Sequence, residues 1–325
     1  MNEKSARATA VITQAVLLPA GLGLACSFLS IRYFGTYGMA MFIGVPIVVS
    51  FGAGLMYGRM AGATPGKAYG VAVLSMLALG GFILLFALDG LVCLLMALPL
   101  GLIVALPGGE AGFYLGRRLT RPRSAALNIL LFCTLPLLMG FEHRLPATSP
   151  THAVVSTVTV HAPIENVWDG VVAFDPIVAP PRGIFRMGIA YPIEAVIEGA
   201  GVGAIRRCVF STGAFVEPII EWDEPNTLTF DVSENPPAMK EFSIYSELDV
   251  PHLLDTFFAT KGQFKLRQEG NTTILEGTTW YKQKIYPDWY WHHISDEIIH
   301  RIHLRVLEHI KKEVEGGLSE SAIKK

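Results

Sequence analysis

Four histidines and one aspartate lie within twelve residues near the C-terminus, in the run Trp289-Tyr290-Trp291-His292-His293-Ile294-Ser295-Asp296-Glu297-Ile298-Ile299-His300-Arg301-Ile302-His303. At about 100° per helical residue, His293, Asp296, His300 and His303 fall within an arc of about 80°, spaced i, i+3, i+7 and i+10. Imidazoles and a carboxylate on one stripe support two chemistries. His293, Asp296, His300 and His303 are possible metal ligands, with His300 and His303 one turn apart and Asp296 a turn earlier. Alternatively, a hydrogen bond from His300 to Asp296 would fix the imidazole tautomer and poise it as a general base, which makes Asp296 and His300 the catalytic candidates. No HExxH motif and no carboxylate-plus-histidine set on a second element accompanies the stripe, so neither a metal nor a cofactor is expected. The stripe also borders an apolar face made by Ile294, Ile298, Ile299, Ile302, Val306 and Ile310. The reading preferred is therefore a solvated flank with Glu297, Arg301 and Arg305, followed by polar groups at the mouth of a cavity.

A second polar feature is Arg206-Arg207, inside an apolar stretch that reads as a strand. Neighbouring strand residues point to opposite faces, so one arginine must point inward. It would pair with Glu217 or Glu221 on the next strand, or hold a ligand carboxylate. Cys208 is the one cysteine outside the apolar N-terminal runs, and no disulfide framework follows.

These residues need elements to hold them. Val154–Val160 is β-branched and reads as a strand; Pro163 opens a short helix with Ile164, Val167, Trp168 and Val171 on one face. Strands are predicted over 193–197, 204–212, 215–222, 227–232, 264–268 and 272–281, with turns at Glu224-Pro225-Asn226 and Glu269-Gly270-Asn271. A long helix is expected from about Asp288 to Glu315, closed by Gly316-Gly317. Leu253–Phe258 could form a short helix, and the proline-rich loop Pro176–Pro181 could cap a pocket or touch a lipid surface.

The stretch Val158-Thr159-Val160-His161-Ala162-Pro163-Ile164-Glu165-Asn166-Val167-Trp168 resembles the opening strand and helix of the START-like, polyketide-cyclase/lipid-transport superfamily. Gly201-Val202-Gly203-Ala204-Ile205-Arg206, Glu217–Pro225, the turn-strand Gly270–Leu275 and the long terminal helix fit the same pattern. The resemblance covers residues 153–315. It implies a helix-grip fold, in which an antiparallel sheet curves round the C-terminal helix and leaves an apolar cavity. Members bind lipids, sterols, polyketides or other hydrophobic molecules, and some are enzymes. On this basis Arg207, Phe210, Phe215, Phe230, Trp280, Tyr281, His300 and His303 are the ligand-cavity candidates, although aromatics of this kind also simply fill cores.

The first half of the chain is built for another solvent. Of 325 residues, 51% are hydrophobic and only 17% charged, with a mean hydropathy of +0.42; about 25% charged is usual for soluble proteins. Residues 1–150 carry ten basic and four acidic side chains, residues 151–325 sixteen and twenty-four. The polar half is acidic and would repel phosphate, so no nucleic-acid partner is expected. Five apolar runs, 10–31, 37–57, 68–88, 91–115 and 124–140, approach the roughly 20 residues that a bilayer crossing needs. No A-x-A cleavage site follows the first, so it reads as a retained span. Lys4, Arg7, Arg59, Lys67, Arg117, Arg118, Arg121 and Arg123 would then share one side, against Arg32 on the other. The positive-inside rule puts the N-terminus in the cytoplasm and the C-terminal half in the periplasm or outside the cell; four spans would leave that half in the cytoplasm. Asp89 and Glu110 are expected near span ends, within reach of water.

The reading is thus an all-α transmembrane bundle (1–145), a linker (146–152), an α+β helix-grip domain (153–315) and a flexible tail (316–325). The expected function is a multi-pass protein of the cell (inner) membrane that presents a domain for a lipid or other hydrophobic small molecule; its partners are that molecule and the bilayer. Catalysis of cyclase, dehydratase or hydrolase type on the His/Asp stripe is the alternative, and a sensor or assembly module ranks third. The oligomeric state is open.

Overall fold

The computed structural model describes residues 3–145, 149–242, 245 and 256–323. The chain divides into two compact units, each treated separately below.

The first unit is helical: α1 (Glu3–Phe28), α2 (Val45–Tyr57), α3 (Pro65–Leu85), α4 (Leu91–Arg118) and α5 (Arg121–Arg144), with π-helical turns at Leu29–Phe34 and Ala40–Gly44. Counting those turns, five helices among the described residues are long and apolar enough to cross a membrane. Proline opens α3, and Pro19, Pro99, Pro107 and Pro136 lie within helices. Side chains thin out where α2 meets α4. A Cβ on Gly54 would lie 2.1 Å from the Gly109 carbonyl oxygen, and one on Gly112 would lie 2.1 Å from that of Phe51. The small-residue spacing Gly108-x3-Gly112-x3-Gly116 facing Gly54-x3-Gly58 lets the two backbones touch.

The unit is not one continuous stretch. It comprises Met1–Ala147 together with Glu241–Pro251 and Ile285–Tyr290, which departs from a simple division at the linker. Hydrogen bonds account for the two additions. The Glu241 carboxylate accepts from the Val92 and Cys93 amides, both at 3.0 Å, and so caps the N-terminus of α4. The Tyr286 amide donates to the Tyr37 carbonyl, and the Tyr290 hydroxyl to that of Met96. Asp89 corrects an expectation. It is buried, 7% exposed, rather than open to water, because the turn folds its carboxylate onto the Gly90 amide at 2.7 Å. Burial, with Glu241 close by, raises Asp89 to about 7. Glu110, by contrast, lies inside α4, eight residues before its C-terminus.

The second unit is α+β. Strands β1 (Thr151–Val160), β2 (Pro192–Glu198), β3 (Ile205–Phe210), β4 (Gly213–Asp223), β5 (Thr227–Asp231), β6 (Phe257–Glu269) and β7 (Thr272–Gln283) form one antiparallel sheet, ordered β1-β7-β6-β5-β4-β3-β2. Helix α6 (Ile164–Val172) follows β1, and α7 (Asp288–Ile323) ends the chain. This is the helix-grip order that the sequence suggests. Val160, Trp168, Ile219, Leu228, Leu275, Leu307 and Ile310 form the core between sheet and helices. Three local expectations are corrected. Phe257 and Phe258 begin β6 instead of ending a helix, since β7 gives them partners at Gln283 and Lys282; residues 253–255 lie outside the described ones. The 204–212 strand is shorter, because Ser211 and Thr212 turn towards β4. Helix α7 continues through Gly316-Gly317, as neither glycine adopts the positive φ of a C-terminal cap.

Candidate functional site

Strand alternation decides what faces inward. On β1 the inner face is Val154, Ser156, Val158 and Val160, so a hydroxyl interrupts an apolar row. The inner faces of the sheet and α7 do not close completely. They leave a cavity of about 140 Å³, walled by Phe210, Phe215, Phe230, Phe264, Ile302 and Leu307 among others. Its walls are mostly apolar, with Arg206, Glu217, Lys261, Gln263, Thr278, Thr279 and His303 among the polar side chains on them; two arrangements of these stand out.

The first of these is an ion pair. Arg206 and Glu217, facing residues of β3 and β4, both reach the cavity and bond directly. Arg206 is 1% exposed; its Nε donates to the Val172 carbonyl at 3.1 Å, and its guanidinium lies 5.4 Å from the Phe230 ring centre and 5.6 Å from that of Phe264. Burial raises Glu217 above the usual carboxylate range while the guanidinium pulls it back; Glu217 in turn lifts Arg206 against the cost of its burial. Burial also pushes the Cys208 thiol up to about 12, which rules out a thiolate nucleophile near neutral pH. The inward arginine is therefore Arg206. Arg207, the predicted cavity residue, points the other way, is 40% exposed at its side chain and lies 3.9 Å from Glu198.

The second polar group is a chain of hydrogen bonds. The Ser156 hydroxyl lies 2.7 Å from His300 Nδ1 and 3.0 Å from His303 Nδ1, and His303 Nε2 lies 2.8 Å from the Thr279 hydroxyl. His303 and Thr279 line the cavity; His300 does not. Burial, and then the neighbouring His300, lowers His303 to about 4, so its imidazole is neutral at pH 7. A neutral imidazole donates from one nitrogen and accepts at the other, and the serine has one proton to give. The chain therefore has a direction.

The histidine stripe is split. Asp296 does not meet His300 as the general-base arrangement requires; it accepts the Tyr281 hydroxyl at 2.7 Å, and Ser156 takes the place of the carboxylate beside His300. Nor are His300 and His303 gathered with Asp296. The carboxylate instead sits with His292 and His293.

Of the remaining cavity candidates, Phe210, Phe215, Phe230 and His303 line it. Trp280 and Tyr281 do not. Trp280 faces away from Gly277 and Thr279, with the Lys261 ammonium 5.2 Å from its ring centre. Tyr281 is fully buried against Val154, Ile299 and Phe257. The 176–181 loop is not part of the wall; Arg305 pins it through the Ala179 carbonyl at 2.7 Å, and Val178 is 92% exposed. Thr279 and Arg206 line the cavity, and Ser156 stands behind it, bonded to the lining His303; local sequence does not single out these three. The nearest to a signal is the place of Ser156 as the one polar residue on the inner phase of an apolar strand.

No family model and no curated protein matches the sequence. Among solved structures, a norcoclaurine synthase of Thalictrum flavum is 14% identical, covering 53% of this chain and 99% of that one, with a TM-score of 0.35. An aromatase/cyclase of Streptomyces sp. R1128 is 16% identical, with coverages of 51% and 94% and a TM-score of 0.33. A protein of Nitrosospira multiformis is 18% identical, with coverages of 50% and 96% and a TM-score of 0.33.

Proposed function

We propose that this chain is a multi-pass membrane protein whose helical half anchors a helix-grip domain that takes up a small hydrophobic molecule. The observation that carries the reading is the apolar cavity between sheet and terminal helix, with Arg206–Glu217 and His303 as its fixed polar points. Its volume sets the ligand class. About 140 Å³ is close to the roughly 150 Å³ cavity that accepts benzene and below the 300–1,000 Å³ of ordinary ligand pockets. A compact, single-ring or short-chain compound with one hydrogen-bonding group fits this better than a two-chain lipid. The five apolar helices and the basic residues at their connections support membrane insertion with the N-terminus in the cytoplasm and the helix-grip domain in the periplasm or outside the cell.

The test is native mass spectrometry of the full chain in detergent micelles, incubated with a panel of aromatic and short-chain compounds and, separately, phospholipids. Uptake of one small molecule, abolished by Ala259→Phe in the cavity wall, is expected; uptake of phospholipid alone, or of nothing, counts against the reading. A reporter fused to the C-terminus, scored for the cytoplasm or the exterior, checks the orientation.

A second reading is catalytic. It rests on the Thr279–His303–Ser156–His300 chain, which begins at the cavity wall and can pass a proton along its length. A compound that is taken up and released chemically changed would favour it.

A further inference from the structure

We infer that His292, His293 and Asp296, on the second and third turns of α7, form a binding site for a divalent transition-metal ion of the zinc class. The inference is separate from the ligand cavity and does not rest on it. One ligand atom from each residue lies within 4.8 Å of the others. A tetrahedral ion with bonds of about 2.1 Å needs its ligand atoms about 3.4 Å apart, so side-chain rotation of little more than 1 Å closes the set.

Three observations indicate that the donors are held in place. Tyr281, 0% exposed, donates its hydroxyl to Asp296 Oδ1 at 2.7 Å and fixes the carboxylate; carboxylates and imidazoles that bind metal are regularly oriented by such neighbours. The His292 ring is sandwiched, lying 5.1 Å from His152 at 11° and 4.0 Å from His293. All three donors lie on a single helix, which fixes their spacing. Two imidazoles and one carboxylate favour zinc, cobalt, nickel or copper over magnesium and calcium, which prefer all-oxygen sets. Three protein ligands leave a position for water or a fourth donor.

The site also has a consequence for the unit that holds it. Tyr281 packs with Phe257 and Ile299, which line the far side as cavity wall. An ion on Asp296 would fasten the start of α7 to β7 through Tyr281, and to β1 through His152.

The experiment is a Co2+ titration of the full chain in detergent micelles, prepared without a polyhistidine tag and read by visible absorption, followed by displacement with Zn2+. One equivalent should bind, with a d–d band that Zn2+ abolishes. His293→Ala and Asp296→Asn should each weaken binding at least tenfold, Tyr281→Phe tenfold or more, and the exposed His161→Ala should leave it unchanged. His293 is exposed and Asn keeps the shape of Asp296, so folding survives in at least one of the two; circular dichroism of each confirms it. No band in the natural chain, binding unaltered in both variants, or loss on His300→Ala instead would each overturn the assignment.

Discussion

Ser156 Oγ lies 2.7 Å from His300 Nδ1 and 3.0 Å from His303 Nδ1, so one hydroxyl joins two imidazoles of α7 to strand β1. The serine can donate to only one ring, and the other must donate to it. Either Ser156 donates to His300 and His303 donates to Ser156, or both bonds run the opposite way, and Thr279 follows the state of His303. Ser156→Ala removes the joint and leaves both rings without that partner. The expected cost is about 1–3 kcal/mol. Chemical unfolding of the full chain in detergent measures it, and Thr279→Val should cost less, because it strips a single bond.

His303 makes the protein acid-sensitive in a defined window. Its folded-state value, about 4, lies below the ordinary 6.5. Above pH 6.5 the ring is neutral folded or unfolded and imposes no penalty. As the pH falls from 6.5 towards 4 only the unfolded chain takes up the proton, so stability declines by up to about 1.4 kcal/mol per pH unit. Asp89, raised to about 7, gives the opposite slope between pH 4 and 7. Because the two windows overlap, the slopes oppose each other between about pH 4 and 6.5; His303→Gln should leave stability falling as the pH rises through that window, Asp89→Asn should leave it rising, and unchanged curves would refute both assignments.

Breaking the cavity ion pair should be worse than removing it. Arg206→Met strands the Glu217 carboxylate in an apolar wall, at a cost of about 3–5 kcal/mol, whereas Arg206→Met combined with Glu217→Leu should recover most of that loss. Unfolding midpoints of the two variants, compared with the natural chain, decide the matter. A double variant as unstable as the single one would mean that Arg206 acts mainly through its bond to Val172 and its aromatic contacts.

The contact between α2 and α4 tolerates no added side chain at its centre. Gly112→Ala puts a carbon where the Phe51 carbonyl stands, and the helices must part. A loss of about 1–3 kcal/mol is expected, read as a lower thermal midpoint in detergent. Gly66→Ala, where a Cβ meets nothing within 4 Å, is the control.

The sequence made the architecture legible because solvent preference and strand alternation act locally. The apolar runs, the β-branched 154–160 strand and the amphipathic terminal helix all announce themselves within a dozen residues. The site was less legible because it depends on choices that local pattern leaves open. Which of Arg206 and Arg207 turns inward is set by strand phase, and a one-residue shift exchanges them. The stripe on α7 was visible as a set, but its members separate according to what the opposite strand offers: Ser156 draws His300 and His303, and Tyr281 draws Asp296. The spacing Gly108-x3-Gly112-x3-Gly116 acquires its meaning only against the partner helix, where the backbones touch.

Glu241 and the 285–290 stretch, both counted with the helical unit although they follow the first strands of the sheet, mean that the polypeptide shuttles between its two units at 147/148, 240/241, 251/252, 284/285 and 290/291. A protease that nicked the 146–152 linker would sever only the first of these passages. The two later strips would then be held to the rest of the helical unit by their hydrogen bonds alone, and trimming the gene at that linker would yield a fragment carrying two strips of chain deprived of those partners.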